Sequence, residues 1–255
     1  MRPPLPGRGI PLRAIAPNAV TALALCSGLT GIRFAIGQDW ERAVLMVLLA
    51  GVLDGIDGRV ARMVRGESRF GAELDSLSDA ISFGVSPALI IYLWALLAEP
   101  RIGWIVCLVY AVFTALRLAR FNARIDIADQ PHKSAGFLTG IPAPAGAGLA
   151  MLPLYVWIWS GEELFRSPWI VAPWIALIAF LMVSSVATYS WSSLKLRRNI
   201  RFEAIGLVVV VAAALVSAPW QTLTLVCVAY LATIPLSIRS FAKVRRQREA
   251  ALPQA

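Results

Sequence analysis

Apolar runs of about 18 to 22 residues recur along the chain, separated by short polar breaks, and runs of that length predict membrane-spanning α-helices. Eight helices are expected, roughly over 16–37, 41–64, 73–98, 102–122, 140–160, 168–190, 200–217 and 219–238. The seventh is short, and SAPW at 217–220 leaves a tight turn before the eighth. The longest polar break is RIDIADQPHKSAG at 124–136, which fits a short interfacial helix and a turn at Pro131. No soluble linker, low-complexity tract or clear repeat interrupts the series. The pattern therefore predicts an all-α, polytopic membrane bundle. Residues 1–15 form a cytoplasmic segment, 16–238 the transmembrane domain, and 239–255 a basic cytoplasmic tail.

Composition supports this reading. The chain has 255 residues, of which 58% are hydrophobic and only 15% charged, and soluble domains are rarely so apolar. The net charge of +9 would suggest nucleic acid in a soluble protein. Here the basic residues cluster between apolar runs, so charge reports topology and a nucleic-acid partner is not expected. One set of helix ends carries Arg2, Arg8 and Arg13, then Arg59 to Arg69, Arg117 to Lys133, Lys195 to Arg201, and Arg239 to Arg248. The opposite set carries only Arg42, Arg101 and Arg166, with Arg33 near that side. The asymmetry places both termini in the cytoplasm. Cys26, Cys107 and Cys227 each sit alone in an apolar run and read as small buried hydrophobes. No cleavable signal is expected, and the first apolar run reads as a first span.

One stretch breaks the apolar pattern. After AVLMVLLAGVL, residues 54–79 read DGIDGRVARMVRGESRFGAELDSLSD, with six acidic side chains. The second span runs towards the cytoplasm and the third runs back. At 1.5 Å per residue, Asp54 and Asp57 lie roughly 10 Å above the cytoplasmic end, and Asp75 and Asp79 lie at a similar depth. The i,i+3 and i,i+4 spacings put each pair on one helix face. Four carboxylates so placed repel one another unless cations join them, and oxygen-only ligands suit Mg²⁺, Mn²⁺ or Ca²⁺. Two ions about 4 Å apart would clamp phosphoryl oxygens during displacement. Gly58, Ala61 and Gly71 leave room for a ligand, and Arg62 and Arg65 supply charge for phosphates. The competing reading makes the acids helix caps or partners of nearby arginines. It suits Glu67 and Glu73 better than the aspartates, because ionisable groups within a span are functional by default.

The spacing Asp54-x2-Asp57-Gly58-x2-Ala61-Arg62-x8-Gly71-x3-Asp75-x3-Asp79 resembles the signature of the CDP-alcohol phosphotransferase family without departure. The resemblance implies a membrane enzyme with a six-helix core and, typically, a homodimer. Such an enzyme transfers a phosphatidyl or related group from a CDP-linked lipid to an alcohol and releases CMP. By position, Asp54, Asp57, Asp75 and Asp79 would hold the divalent cations, Mg²⁺ or Mn²⁺, two per site. Asp79 would also be the general base. Gly58 and Ala61 would border the cytidine pocket, Gly71 would allow close approach, and Arg62 would support the carboxylates or phosphates. PNAVT at 17–21 resembles a further family element, which makes Asn18 and Thr21 candidate nucleotide contacts; a helix N-terminus near Pro17 and Asn18 explains the same residues.

RLARFN at 117–122 and GFLTGIPAPAGAG at 136–148 resemble the bacterial and archaeal serine-accepting branch, with Ile141 in place of that branch's Leu. CDP-diacylglycerol and L-serine are then the expected substrates. The expected location is a bacterial cytoplasmic membrane with the active site facing the cytoplasm. Arg117 or Arg120 would fork serine's carboxylate, with Asn122 beside them; positive-inside anchoring is the plainer reading of the two arginines. Lys133 and His132 read as loop residues, and Phe137, Pro142 and Pro144 as shaping the start of the fifth span. Alternatives are another acceptor (glycerol phosphate, inositol phosphate or choline), a membrane prenyltransferase, or a cation transporter. The prenyltransferase lacks the Gly58 and Ala61-Arg62 pattern, and a transporter would place its ligands near midplane on broken helices.

Overall fold

A computed structural model describes residues 12–63, 68–123, 137–184, 186–189 and 201–251. The described chain is dominated by helices: α1 (Leu12–Ile36), α2 (Trp40–Met63), α3 (Arg69–Asp79), α4 (Ser86–Ala95), α5 (Pro100–Asn122), α6 (Ala143–Ala150), α7 (Leu152–Ser160), α8 (Pro168–Val183), α9 (Arg201–Ser217) and α10 (Pro219–Ala251). A π-helical segment, Ala80–Val85, joins α3 to α4, and 3-10 turns cover Leu96–Ala98 and Glu163–Arg166. Among the described residues four stretches are long and apolar enough to cross a membrane: Ile15–Ile36, Arg69–Ala98, Pro100–Asn122 and Pro219–Ile238. Pro168–Val183 and Val208–Ser217 are shorter apolar helices.

Packing divides the chain into two units, Met1–Ile90 and Ile91–Ala255. In the first, α1 and α2 form the main pair. Ala35, Ala43, Val44, Val47 and Ala50 are buried between them. Small residues let the backbones close in, as lipid-embedded helices require: a Cβ on Gly31 would lie 3.0 Å from the Ala43 carbonyl oxygen. Gln38 adopts a positive φ of 60° in the connecting turn. Asp39 then accepts from the Arg42 N–H at 3.1 Å, satisfying one of the orphan donors at the start of α2.

In the second unit α5 packs along α8, with Phe113 and Phe180 edge to face at 5.5 Å. The expected fifth helix over 140–160 is broken into α6 and α7, with Met151 between them. Proline explains what happens there. Pro153 has no N–H to offer the Leu149 carbonyl, four residues earlier. The Trp174 indole N–H of α8 donates to that oxygen instead, at 2.8 Å. Pro142 precedes α6 and Pro144 lies in its first turn, where a missing N–H costs nothing. Before them, Gly140 takes a φ of +74°, and a Cβ there would run into the Met182 carbonyl. Two short strands are an addition to the all-helical expectation: β1 (Phe137–Thr139) pairs antiparallel with β2 (Ala187–Tyr189). α8 accordingly stops at Val183, short of the expected 190, because the chain turns into that pairing. α10 runs on past 238 to Ala251.

At one end of this unit, Arg166 Nε donates to the Trp94 carbonyl at 2.9 Å. Its guanidinium lies over the Trp157 ring at 5.4 Å, while the Trp157 indole N–H donates to Glu163 at 3.1 Å. Amphipathic aromatic and arginine side chains of this kind anchor helix ends at an interface.

Trp174→Phe removes the donor that replaces the missing proline N–H at the buried Leu149 carbonyl. The expected cost is about 1–3 kcal/mol, read as a lower unfolding temperature in detergent. Pro153→Ala, which restores a backbone donor, should recover part of that loss in the double variant.

Candidate active site

The acidic residues of α2 and α3 do meet. Carboxylate oxygens of Asp54, Asp57 and Asp75 lie within 4.8 Å of one another. Asp79 reaches the same cluster, with its carboxyl group in hydrogen-bonding range of Asp54. Helical spacing explains the pairs, and the start of α3 explains their common depth. Ser68 stands before that helix in an extended conformation, and its hydroxyl accepts from the Gly71 N–H at 3.0 Å. This N-cap fixes where the first turn begins, and therefore where Asp75 and Asp79 fall.

Among the described residues the aspartates have no cationic side chain in ion-pair range. The ion pair among the described residues is Arg42 with Asp39, at the start of α2. Arg62 is exposed and Arg65 lies outside the described residues, as do Glu67, Arg124, His132 and Lys133. The reading of the four aspartates as partners of the described arginines therefore finds no support. Carboxylates this close cannot all remain ionised without a counter-charge. An all-oxygen, multiply acidic set fits a hard divalent cation, so the residues present suit the metal that the sequence implies.

α1 supplies the rest of the site. The Thr21 hydroxyl is 2.7 Å from Asp57 Oδ2 and 3.1 Å from the Pro17 carbonyl. Both residues are buried, Thr21 at 4% and Asp57 at 6% exposure, so the hydroxyl is the neighbour that holds this carboxylate. Asn18 packs against α3: a Cβ on Gly71 would lie 2.8 Å from Asn18 Oδ1. Gly71 thus permits a close approach, and the group approaching is the Asn18 side chain. The Asn18 amide nitrogen is buried and has no hydrogen-bond partner among the described residues. A Cβ on Gly58 would meet nothing within 4 Å. Gly58 and Arg62 are exposed and Ala61 is half-buried on the same stretch of α2.

Arg117, Arg120 and Asn122 belong to the second unit, on the last turns of α5. Arg120 is exposed, and its Nη1 donates to the Val183 carbonyl at 3.0 Å. It therefore stabilises the carbonyl end of α8, the role that cations commonly take at a helix C-terminus. Arg117 and Asn122 are half-buried. Sequence reasoning passed over Ser78, Ser82 and Ser86, which the structure places between α1 and the third helical stretch. The signal was available: serines at 78, 82 and 86, every fourth position, in a run that is apolar apart from Asp79.

Comparison with known proteins gives two family matches. Residues 14–184 match the family described as CDP-alcohol phosphatidyltransferase, and residues 200–235 match CDP-alcohol phosphatidyltransferase 2. A CDP-diacylglycerol--serine O-phosphatidyltransferase of Mycobacterium tuberculosis is 39% identical over 233 residues, covering 91% of this chain and 81% of that protein. A protein of the same name from Helicobacter pylori (strain ATCC 700392 / 26695) is 37% identical over 185 residues, covering 70% of this chain and 73% of its own. One from Methanocaldococcus jannaschii is 34% identical over 167 residues, covering 66% and 70%.

Thr21→Val keeps the side-chain shape and deletes the hydroxyl that faces Asp57. A hydrogen bond to a charged group is worth about 1.5–3 kcal/mol. The variant should lose stability of that order in metal-free buffer, measured by thermal unfolding, whereas Thr21→Ser should retain most of it.

Proposed function

The chain belongs to the CDP-alcohol phosphatidyltransferase family, and on that premise we propose that it is a phosphatidylserine synthase. It is a transferase of phosphate-containing groups. The reaction proposed is CDP-diacylglycerol plus L-serine to phosphatidylserine plus CMP. The observation that carries the acceptor is the 39% identity, across 91% of the chain, to a protein named for serine. The RLARFN and GFLTGIPAPAGAG stretches support the same branch.

The proposed mechanism is one in-line displacement. Asp54, Asp57, Asp75 and Asp79 hold the divalent cation or cations. When bound, such ions offset charge on the diphosphate and its transition state. Asp79 accepts the proton of the serine hydroxyl as that oxygen attacks the β-phosphorus. The new bond joins serine oxygen to phosphorus, and the bond to the cytidylate oxygen breaks. CMP departs with the electron pair. The Asn18 amide nitrogen, which has no partner among the described residues, offers a donor to the nucleotide, and the open space beside Gly58, with Ala61 on the same helix, suits an approaching cytidine. Arg62 is the cation for phosphate oxygens. Arg117 and Arg120 face the acceptor's carboxylate, and Asn122 its ammonium or carboxylate. Arg120 is the weaker of the two arginines for that role, since one of its nitrogens already serves the end of α8.

The membrane setting is proposed at finer grain too. The four long apolar stretches, α2 and the shorter helices together make about eight crossings around a six-helix core, within a homodimer. The basic clusters face the cytoplasm of a bacterial inner membrane. The segmentation of 1–15, 16–238 and 239–255 is retained as the membrane boundary, with α10 continuing beyond it.

Purified protein supplied with CDP-diacylglycerol, Mg²⁺ or Mn²⁺ and a panel of labelled alcohols tests the assignment. Serine should give product and CMP in equal amounts. Efficient product from glycerol 3-phosphate or inositol, with none from serine, would move the chain to another branch. CMP release that does not depend on a divalent cation would undo the metal reading.

Asp79→Asn keeps the shape of the side chain and removes its capacity to accept a proton. Turnover should fall by roughly a hundredfold to ten-thousandfold, the usual loss with a general base, while CDP-lipid binding largely persists. Near-normal turnover at saturating metal would reassign the base.

A further inference from the structure

Hydroxyl groups in apolar helices usually bond back to the carbonyl four residues earlier. Thr30, Thr114, Ser160, Thr222 and Thr224 all do so here. Three serines behave differently. Ser78 Oγ donates across to the Thr21 carbonyl at 3.2 Å, Ser82 to Ala24 at 3.3 Å, and Ser86 to Gly28 at 2.7 Å. All three are buried, at 3%, 1% and 0% exposure. Their acceptors follow one edge of α1. Gly28 lets the two backbones touch, since a Cβ there would sit 2.8 Å from the Ser82 Cα.

A regular helix would not keep this seam straight. Every fourth residue of an α-helix drifts by roughly 40°, so serines eight residues apart would leave the interface. The π-helical segment Ala80–Val85 has more residues per turn and takes back that drift. Its position matters as well, because it begins immediately after Asp79. Thr21 closes the circuit: its carbonyl receives Ser78 while its hydroxyl faces Asp57.

We infer that the Ser78–Ser82–Ser86 seam, with its π-helical segment, is a positioning device that sets the height and rotation of Asp75 and Asp79 against Asp54 and Asp57. The serines are positioning residues. They act on the carboxylates through α1, with Thr21 as the shared contact. The inference deepens the proposed function and rests on its metal reading. It assigns to residues outside the acidic signature the job of holding the two aspartate pairs at one ligand-binding distance.

The test is direct Mn²⁺ binding to the purified protein in detergent, followed by the electron paramagnetic resonance signal of free Mn²⁺, without substrate. Ser78→Ala should weaken binding roughly tenfold, the low end of what changes around metal ligands cost. Ser82→Ala should weaken it less, and Ser86→Ala, two turns from Asp79, by less than about twofold. Melting temperatures should fall to a similar extent in all three, because each loses one buried hydrogen bond. Mn²⁺ affinity that follows melting temperature, with no dependence on distance from Asp79, would reduce the seam to ordinary helix packing and overturn the inference. If Ser78→Ala does not fold, the comparison of Ser82→Ala with Ser86→Ala decides in the same way. A wild-type protein that takes up no Mn²⁺ would overturn the metal reading itself, and the inference with it. Normal wild-type binding that no serine variant alters would overturn the inference alone.

Discussion

Thr21 touches three helices at once. It belongs to α1, its hydroxyl faces Asp57 of α2, and its carbonyl takes the Ser78 hydroxyl of the third stretch. In lipid this matters more than it would in water. Burying apolar surface gives little preference for one helix neighbour over another, because the tails are as apolar as the side chains. Specific hydrogen bonds and close backbone contact must choose the partner and the register. The glycines at 28 and 31, one turn apart, supply the contact, Gly28 against Ser82 and Gly31 against the Ala43 carbonyl. α1 therefore determines where the acidic residues of its two neighbours lie, although it carries no acidic residue in its span.

The chemistry follows from that arrangement. Four carboxylates lie together with no described arginine or lysine in ion-pair range, which makes the cluster a strong demand for cationic ligands. Such a demand suits an enzyme whose donor is a diphosphate, since the ions that join the carboxylates can also meet phosphate oxygens. The exposed Gly58 and Arg62, and an Asn18 amide nitrogen without a partner among the described residues, flank the same acids. These features belong to one unit of the chain, residues 1–90, in which the PNAVT stretch at 17–21 also falls.

Much of the site was legible because its spacing is a property of one helix at a time. Asp54 with Asp57, and Asp75 with Asp79, share a face by arithmetic on the sequence, and α2 and α3 place them as that arithmetic requires. What was not legible depended on partners distant in sequence. The break at Met151 needed both Pro153 and a tryptophan some twenty residues on to answer the stranded carbonyl. The strand pair joins 137–139 to 187–189 across three further helices, and its residues carry no alternation that would announce it. Arg120 read equally well as a substrate fork or an anchor, and only the fold revealed the Val183 carbonyl that it serves. The crossing serines looked like ordinary hydroxyls in an apolar run, because their direction depends on a helix fifty-odd residues earlier.

The π-helical segment gives this span one residue of slack. A π turn amounts to one residue held in surplus within an otherwise α-helical rod. Removing one residue between Ala80 and Val85 would let the rod relax to a plain α-helix, with the turns on either side still facing as they do now. The α-helical turns around it have no such reserve. A residue lost between Asp79 and Ser68, or after Val85, would turn everything beyond it by roughly 100°. The reading frame of this span in space is therefore strict in its α-helical parts and forgiving in its wide turn.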